Sequence, residues 1–76
     1  MKTKAEIITA VQKAVNEDMD ISIWAIRKSD GYKGVLCLVL GNGNTVENYI
    51  NEIEKETRRL VMLSYWEIAG FEIEGE

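Results

Sequence analysis

The sequence predicts an α+β fold in which two helices lie beside a three-stranded sheet, in the order α-β-β-α-β. Apolar residues recur at helical spacing in two stretches, 7–15 and 46–61, and each stretch predicts an amphipathic helix. Two short, strongly apolar runs, 21–28 and 34–40, lie on either side of a turn signal and predict a hairpin. The length of 76 residues suits a single domain over residues 1–76.

A capping motif marks the start of the first helix. Thr3 and Glu6 have the spacing of a capping box, in which each side chain accepts a hydrogen bond from the other residue's backbone N–H. The helix is predicted to end at about Asn16, because the polar segment 16–20 favours a turn. Its apolar stripe consists of Ile7, Ile8, Val11, Ala14 and Val15.

The hairpin is predicted from Asp30 and Gly31, a pair that favours a tight turn between two strands. The first strand, 21–28, is rich in the β-branched and aromatic residues that strands prefer. The return strand, 34–40, is apolar on both faces, and this pattern predicts a position in the middle of the sheet.

The second helix is predicted to begin after Asn44 or Thr45, either of which can cap it. The sequence does not determine the residue at which this helix ends. The stretch 60–69 either extends the helix to Gly70 as a C-cap or turns into strand partway. Residues 71–76 alternate between apolar and acidic side chains and predict the last strand. The helical stripe consists of Val46, Tyr49, Ile50, Ile53, Thr57, Leu60 and Val61.

The glycine-rich segment before the second helix has the position of a phosphate-binding loop. Gly41 and Gly43 match two positions of a dinucleotide-binding fingerprint, but Val46 stands where the third glycine is needed. No lysine follows Gly43 as in a P-loop, and Glu47 would meet a bound phosphate with negative charge. We therefore expect a structural connector that binds no cofactor and whose glycines allow positive φ.

The residue types that most catalytic and metal sites need are scarce. The chain has no histidine, which excludes nucleophiles paired with histidine and leaves Cys37 without partners for a usual zinc site. Cys37 lies mid-strand, so we expect a core thiol with a raised pKa. Glu52, Glu54 and Glu56 lie on the polar side of the second helix, and we expect a solvated face. The sequence thus indicates neither catalytic nor metal-binding residues, and we expect no enzymatic activity.

The charge of the chain limits its partners and its location. The net charge is −4, and residues 45–76 carry eight glutamates against three basic residues, which disfavours nucleic acid. No apolar run reaches the roughly 20 residues that cross a bilayer, and the N-terminal stretch lacks the apolar core of a signal peptide. A single cysteine fits a reducing compartment. We expect a cytoplasmic protein that contacts no membrane.

Binding of single-stranded nucleic acid is the alternative function. Trp24 would stack on bases, while Arg27, Lys28 and Lys33 on the same strand face would neutralise phosphates. Three basic residues are few for this purpose in an acidic chain, so a protein partner is preferred.

Both hairpin strands carry apolar side chains on both faces. Two helices on one face would leave the other bare, and monomers rarely expose large apolar patches. We therefore expect either helices on opposite faces or an open face that meets another chain, a second copy included. Interfaces favour aromatic residues, methionine and arginine. The candidate partner-binding residues are Arg58, Arg59, Met62, Tyr65, Trp66, Glu72, Glu74 and Glu76.

The acidic residues of the last strand have two interpretations. Glu72, Glu74 and Glu76 share one strand face at a spacing of about 6.5–7 Å, close to that of successive phosphates along a nucleic acid. The row could block a basic groove of a partner, but we favour a guard against edge-to-edge aggregation. The expected function is a small acidic protein-binding module: a regulator, adaptor or inhibitor that occludes a larger partner. Phage and mobile-element accessory proteins include many chains of this kind.

Overall fold

The structure is a computed structural model that describes residues 1–75. Over these residues the chain forms two helices and three strands in the predicted order, which confirms the α+β fold. Glu76, the last residue of the predicted acidic row, lies outside the described residues. The elements are α1 (Lys4–Asn16), β1 (Ile21–Arg27), β2 (Lys33–Val39), α2 (Val46–Met62) and β3 (Ile68–Glu74).

The predicted capping box starts α1. Oγ1 of Thr3 accepts a hydrogen bond from the backbone N–H of Glu6 at 3.2 Å, and Oε1 of Glu6 accepts one from the backbone N–H of Thr3 at 3.0 Å. These bonds satisfy backbone donors that have no partner inside a helix. The hydrogen bonds from Thr3 also hold the pKa of Glu6 below its usual value.

The sheet has the order β2-β1-β3, and both strand pairs are antiparallel. The prediction that 34–40 lies mid-sheet is wrong, because β1 is the central strand and β2 is at an edge. A bulge shifts the β1–β2 register between Ile23 and Trp24 and leaves Leu36 without a partner on β1. Leu36 consequently joins Cys37 in the core. The other face of β2 carries the apolar residues Val35 and Leu38, which are exposed, so an edge strand is apolar on both faces.

Both helices pack on the same face of the sheet. α1 contacts all three strands, and α2 contacts β2 and α1. We call the other face the open face, because no helix of the described chain packs on it. Of the two arrangements expected from the sequence, the structure therefore has the one with both helices on one face and an open face opposite them. The core contains Ile7, Ala10, Val11, Ala14, Ile21, Ile23, Ala25, Leu36, Cys37, Val39, Tyr49, Ile53, Leu60 and Phe71.

The ambiguous stretch 60–69 divides into the end of a helix, a turn and the start of a strand. The backbone N–H of Trp66 closes the turn by donating to the carbonyl of Leu60 at 3.0 Å. Tyr65 lies in the left-handed region, with φ of 58°. β3 begins earlier than predicted, and Gly70 pairs with β1 inside it, so Gly70 is not a helix C-cap.

The glycine-rich segment before α2 is a connector packed against the loop between α1 and β1. A Cβ on Gly41 would lie 2.5 Å from backbone atoms of Asp18 and Met19, so the close approach of two backbone segments requires glycine there. Neither Gly41 nor Gly43 has a positive φ. The positive φ that these glycines allow is therefore not used.

Thr45 is the N-cap of α2. Its Oγ1 accepts a hydrogen bond from the backbone N–H of Asn48 at 3.2 Å. One turn into the helix, the hydroxyl of Tyr49 donates to the carbonyl of Leu40 at 2.7 Å and accepts from the N–H of Leu40 at 3.2 Å. Tyr49 thus fixes the start of α2 against the end of β2.

The outer edge of β3 is partly covered by the N-terminal residues. The N–H of Lys2 donates to the carbonyl of Phe71 at 2.8 Å, and the N–H of Phe71 donates to the carbonyl of Lys2 at 3.0 Å. Backbone groups that would otherwise be open to a further strand are therefore satisfied within the chain.

Candidate protein-binding surfaces

The end of α2 and the following turn expose three large apolar side chains, Met62, Leu63 and Tyr65, which we call the α2 tip. Their exposed fractions are 69%, 73% and 87%. Met62 and Tyr65 are among the candidates taken from the sequence. Leu63 is not, because its exposure depends on where α2 ends, and the sequence leaves that open.

Two depressions adjoin the α2 tip. One, of about 430 Å³, is lined by Tyr65, Lys28 and Glu67 among others. The other is a groove of about 670 Å³ that passes Val61 and Trp66. Tyr65 therefore borders the first depression, whereas the groove is lined by residues that neighbour the tip in sequence.

Trp66 anchors the turn that carries the tip. Its side chain is half-buried and packs against the core. The ring lies against Gly34, where a Cβ would be 2.7 Å from Cη2, and it meets the ring of Tyr32 edge-on with centroids 6.0 Å apart. The guanidinium carbon of Arg27 lies 5.1 Å from both ring centroids. Trp66 thus supports the exposed surface more than it contributes to it.

Asp30 holds Arg27 beside these rings. Nε and Nη2 of Arg27 donate to the two carboxylate oxygens of Asp30 at 2.9 and 2.6 Å. The hydrogen bonds from Arg27, and then the one from the backbone N–H of Tyr32, lower the pKa of Asp30 to about 2. The guanidinium of Arg27 is therefore engaged within the chain.

The two candidate arginines of α2 have different surroundings. Arg59 donates from Nε and Nη2 to Oε2 of Glu56 at 3.0 and 2.7 Å. Arg58 is exposed one turn before Met62 and forms no ion pair within the described part of the chain. Lys28, which lines the depression beside the tip, is also exposed and has no ion pair among these residues. Two cations therefore flank the tip of an otherwise acidic protein.

The acidic row is partly neutralised by the chain itself. Glu72 and Glu74 pair with β1 residues of the open face, in agreement with the alternation in the sequence. Nζ of Lys33, from the opposite edge strand, lies 2.9 Å from Glu72 and 3.2 Å from Glu74. These hydrogen bonds raise the pKa of Lys33, whose ammonium also lies 5.5 Å from the ring centroid of Trp24. Two carboxylates of the row are thus already occupied by a cation.

The residues of the nucleic-acid alternative do not share one face. Lys33 and Trp24 lie on the open face. Arg27 falls on the other side, because strand residues alternate and its guanidinium contacts Trp66, which packs against the core. Lys33 is also bound to carboxylates, so the combination of free cations and a stacking ring is absent from the described face.

The β2 side of the open face is apolar and exposed. The exposed fractions of Val35, Leu38 and Leu40 are 54%, 59% and 43%. Next to them, Nε1 of Trp24 is buried and has no hydrogen-bond partner within residues 1–75. The neighbouring ammonium of Lys33 cannot supply one, because both groups are donors. This face is therefore a second apolar surface, separate from the α2 tip.

Cys37 is a core residue, as expected. Burial raises the pKa of its thiol to about 12, with a further contribution from the carboxylate of Glu52. Sγ lies 3.6 Å from Oε2 of Glu52. The thiol is therefore neutral at physiological pH and a poor nucleophile.

Two further acidic residues of α2 lie in ion pairs, Glu54 with Lys4 of α1 and Glu56 with Arg59. Within residues 1–75 we find no group of three histidine, cysteine, aspartate or glutamate side chains placed to hold a metal ion. None of the helices described there has the length and apolar character required to span a membrane.

Comparison of the sequence with protein-family models and with curated proteins, and of the fold with solved structures, finds no match.

Proposed function

We propose that this protein is a protein-binding module that docks on a larger partner through the α2 tip. The observation that carries the proposal concerns Tyr65. Its aromatic side chain is 87% exposed, and its backbone has a left-handed conformation. A left-handed conformation costs a residue other than glycine about 1–2 kcal/mol. The exposed ring recovers little of that cost by packing within the chain. A contact between the ring and another molecule therefore explains an exposed tyrosine at this position better.

The neighbours of Tyr65 indicate the chemistry of the partner. Met62 and Leu63 extend the apolar surface, and Arg58 and Lys28 place positive charge beside it. Methionine, aromatic residues and arginine are the residue types that interface centres favour. The partner is therefore expected to offer an apolar cleft with acidic residues at its rim.

The acidic strand is a weaker candidate for the binding surface. Lys33 already pairs with Glu72 and Glu74, so a basic partner would have to displace an internal ion pair. A charge-mimicking inhibitor needs carboxylates that are available to its target. This favours the tip over the acidic row as the site of recognition, with Trp66 in a supporting role.

The experiment is affinity capture from the native host with matched variants as bait. Leu63→Ser removes an exposed leucine from the tip, and Leu38→Ser removes an exposed leucine from the open face. Captured proteins are quantified by mass spectrometry against the wild type, at low and high salt.

The proposal expects a protein that is retained by wild type and by Leu38→Ser but lost with Leu63→Ser. Its retention should also fall with salt, because screening weakens the contribution of Arg58 and Lys28. Equal capture by wild type and Leu63→Ser would show that the tip is not the binding surface.

A further inference from the structure

The three methionines of the chain differ in their access to solvent. Met62, the last residue of α2, is 69% exposed, and Met1 is 78% exposed. Met19 is half-buried and packs against the core. A dissolved oxidant therefore reaches Met62 without any opening of the fold, whereas the residues around Met19 screen it.

Cys37 does not compete for such an oxidant. It is 3% exposed, and burial raises the pKa of its thiol to about 12. Peroxides react with the thiolate form, which is nearly absent from the folded protein at neutral pH. Oxidation of the folded chain therefore falls on exposed thioethers, and Met62 is the thioether of the α2 tip.

We propose that Met62 is an oxidation site, and that its conversion to methionine sulfoxide by a peroxide prevents the α2 tip from binding its partner. This inference rests on the proposed function, since it describes the regulation of the same surface. The sulfur lone pair of Met62 attacks one oxygen of hydrogen peroxide, and the O–O bond breaks. The proton of the new S–OH group passes to the leaving hydroxide. The sulfur is thus oxidised by two electrons, while the peroxide is reduced to water.

The sulfoxide makes the tip less apolar. Its oxygen lies beside Leu63, in the surface that is expected to enter an apolar cleft. Burial of a polar group without a hydrogen-bond partner is unfavourable, and an apolar cleft offers no donor for this oxygen. The oxidised tip therefore binds more weakly even if its shape is unchanged.

The sulfoxide also competes for a cation of the tip. Arg58 precedes Met62 by four residues on α2, so the two side chains are neighbours on the helix surface. Arg58 forms no ion pair within residues 1–75. Its guanidinium is thus available to donate to the sulfoxide oxygen, which diverts it from an acidic residue of the partner.

The effect is reversible and reciprocal. Methionine sulfoxide reductases convert the sulfoxide back to the thioether, which restores the apolar surface. Since oxidation weakens binding, a bound partner must in turn oppose oxidation, and it does so by covering Met62. The site is therefore sensitive to peroxide only while the tip is unoccupied.

The first experiment measures the reaction on the isolated protein. Native protein is treated with hydrogen peroxide, and the oxygen added to each methionine is quantified by peptide mass spectrometry. Met62 should oxidise roughly tenfold faster than Met19, and the two rates should converge in denaturant. Circular dichroism verifies that the treated protein stays folded. Equal rates at Met62 and Met19 in the native state would overturn the proposal, as would preferential oxidation of Cys37.

The second experiment uses the host protein that wild type captures and Leu63→Ser loses. The baits are wild type, Met62→Leu and Met19→Leu, each with and without peroxide treatment. Met62→Leu keeps an apolar side chain of similar volume but cannot form a sulfoxide. Met19→Leu is the matched control, because it leaves the tip unchanged.

Peroxide should reduce capture by wild type and by Met19→Leu roughly tenfold, in line with the cost of an unpaired buried polar group. Capture by Met62→Leu should be unaffected, and treatment of oxidised wild type with a methionine sulfoxide reductase should restore it. Undiminished capture by oxidised wild type would overturn the proposal, and so would an equal loss in Met62→Leu.

The two proposals fail in different ways. If untreated Leu63→Ser captures the same proteins as wild type, the tip is not the binding surface and the oxidation proposal falls with it. If Leu63→Ser loses capture while oxidised wild type retains it, the tip is the binding surface and only the role of Met62 is wrong.

Discussion

The ring of Trp66 lies so close to the backbone of Gly34 that a Cβ on Gly34 would be 2.7 Å from Cη2. This contact joins the turn after α2 to the start of β2 and sets the position of the α2 tip. It depends on the absence of a side chain at position 34. The ring is held on its other sides by Tyr32 and Arg27.

Gly34→Ala should destabilise the fold by about 1–3 kcal/mol, because the added methyl group overlaps the Trp66 ring. Urea unfolding measures the change. The double variant Gly34→Ala with Trp66→Leu tests the cause, since a smaller side chain removes the overlap. The penalty for Gly34→Ala should be smaller in the Trp66→Leu background. An equal penalty in both backgrounds would mean that Trp66 is not what the methyl group meets.

Gly41→Ala should cost more than Gly43→Ala. A Cβ at position 41 would meet the backbone of Asp18 and Met19 at 2.5 Å, whereas at position 43 the nearest atom is the Tyr49 hydroxyl at 3.0 Å. Backbone atoms cannot move aside as a side chain can, so we expect about 3 kcal/mol at position 41 and about 1 kcal/mol or less at position 43.

The same segment should bind no nucleotide. ATP, GTP and NAD at millimolar concentrations should leave the amide NMR signals of 41–45 and the melting temperature unchanged. A saturable shift of these signals would contradict its interpretation as a connector.

Tyr65→Gly should stabilise the fold by about 0.5 kcal/mol. Glycine removes the cost of the left-handed backbone, and part of this gain is offset by the greater freedom of glycine in the unfolded chain. The same variant should lose partner capture. A thermal melt and the capture experiment together measure this trade-off. A clear loss of stability would show that the exposed ring packs within the chain after all.

Cys37 should react slowly with alkylating reagents in the native state and rapidly in denaturant. The native thiol, with a pKa of about 12, holds far less thiolate at pH 8 than an unfolded thiol near 9. Since the folded pKa is the higher one, this group's contribution to stability is present below pH 9 and declines as pH rises from about 9 to 12. Cys37→Ala should cost about 1 kcal/mol through lost packing. Rapid labelling of the native protein would refute the core assignment.

Asp30 should titrate with a pKa of about 2, below its ordinary value of 3.8, because Arg27 and the N–H of Tyr32 stabilise the carboxylate. A folded pKa below the unfolded one stabilises the fold above pH 4, and this contribution is lost as the pH falls from about 4 to 2. NMR titration of the carboxyl carbon measures the pKa directly. Asp30→Asn should weaken the pH dependence of stability in this interval, and an unshifted titration would rule out the ion pair in solution.

Local patterns in the sequence predict most of the fold. The capping box at Thr3, the hairpin at Gly31 and the apolar stripes depend on residues close in the chain. The edge position of β2 was not predictable from its composition, because the exposed residues Val35, Leu38 and Leu40 are apolar and the strand lacks the polar alternation typical of an edge. The turn at Tyr65 was missed for a similar reason, since tyrosine gives no indication of a left-handed backbone.

The candidate site was predictable only in part. Methionine and tyrosine near the end of α2 are typical of interfaces, and both proved exposed. The pairing of Lys33 with Glu72 and Glu74 joins two edge strands that are distant in sequence, and only the folded sheet brings them together. The acidic row has no cation beside it in the sequence, but in the structure Lys33 pairs with Glu72 and Glu74.

The position of β1 between β2 and β3 has a consequence for folding during synthesis. β2 follows β1 after a short turn and can pair with it as soon as both leave the ribosome. β3 must wait until all of α2 has been made, and only then can Lys2 form its bridge to Phe71. Until then the central strand has one bare edge and α1 lacks one of the strands that it contacts. Contacts between residues far apart in the chain slow folding, and an unpaired edge invites aggregation. The nascent chain should therefore depend on chaperones longest in the interval before β3 emerges.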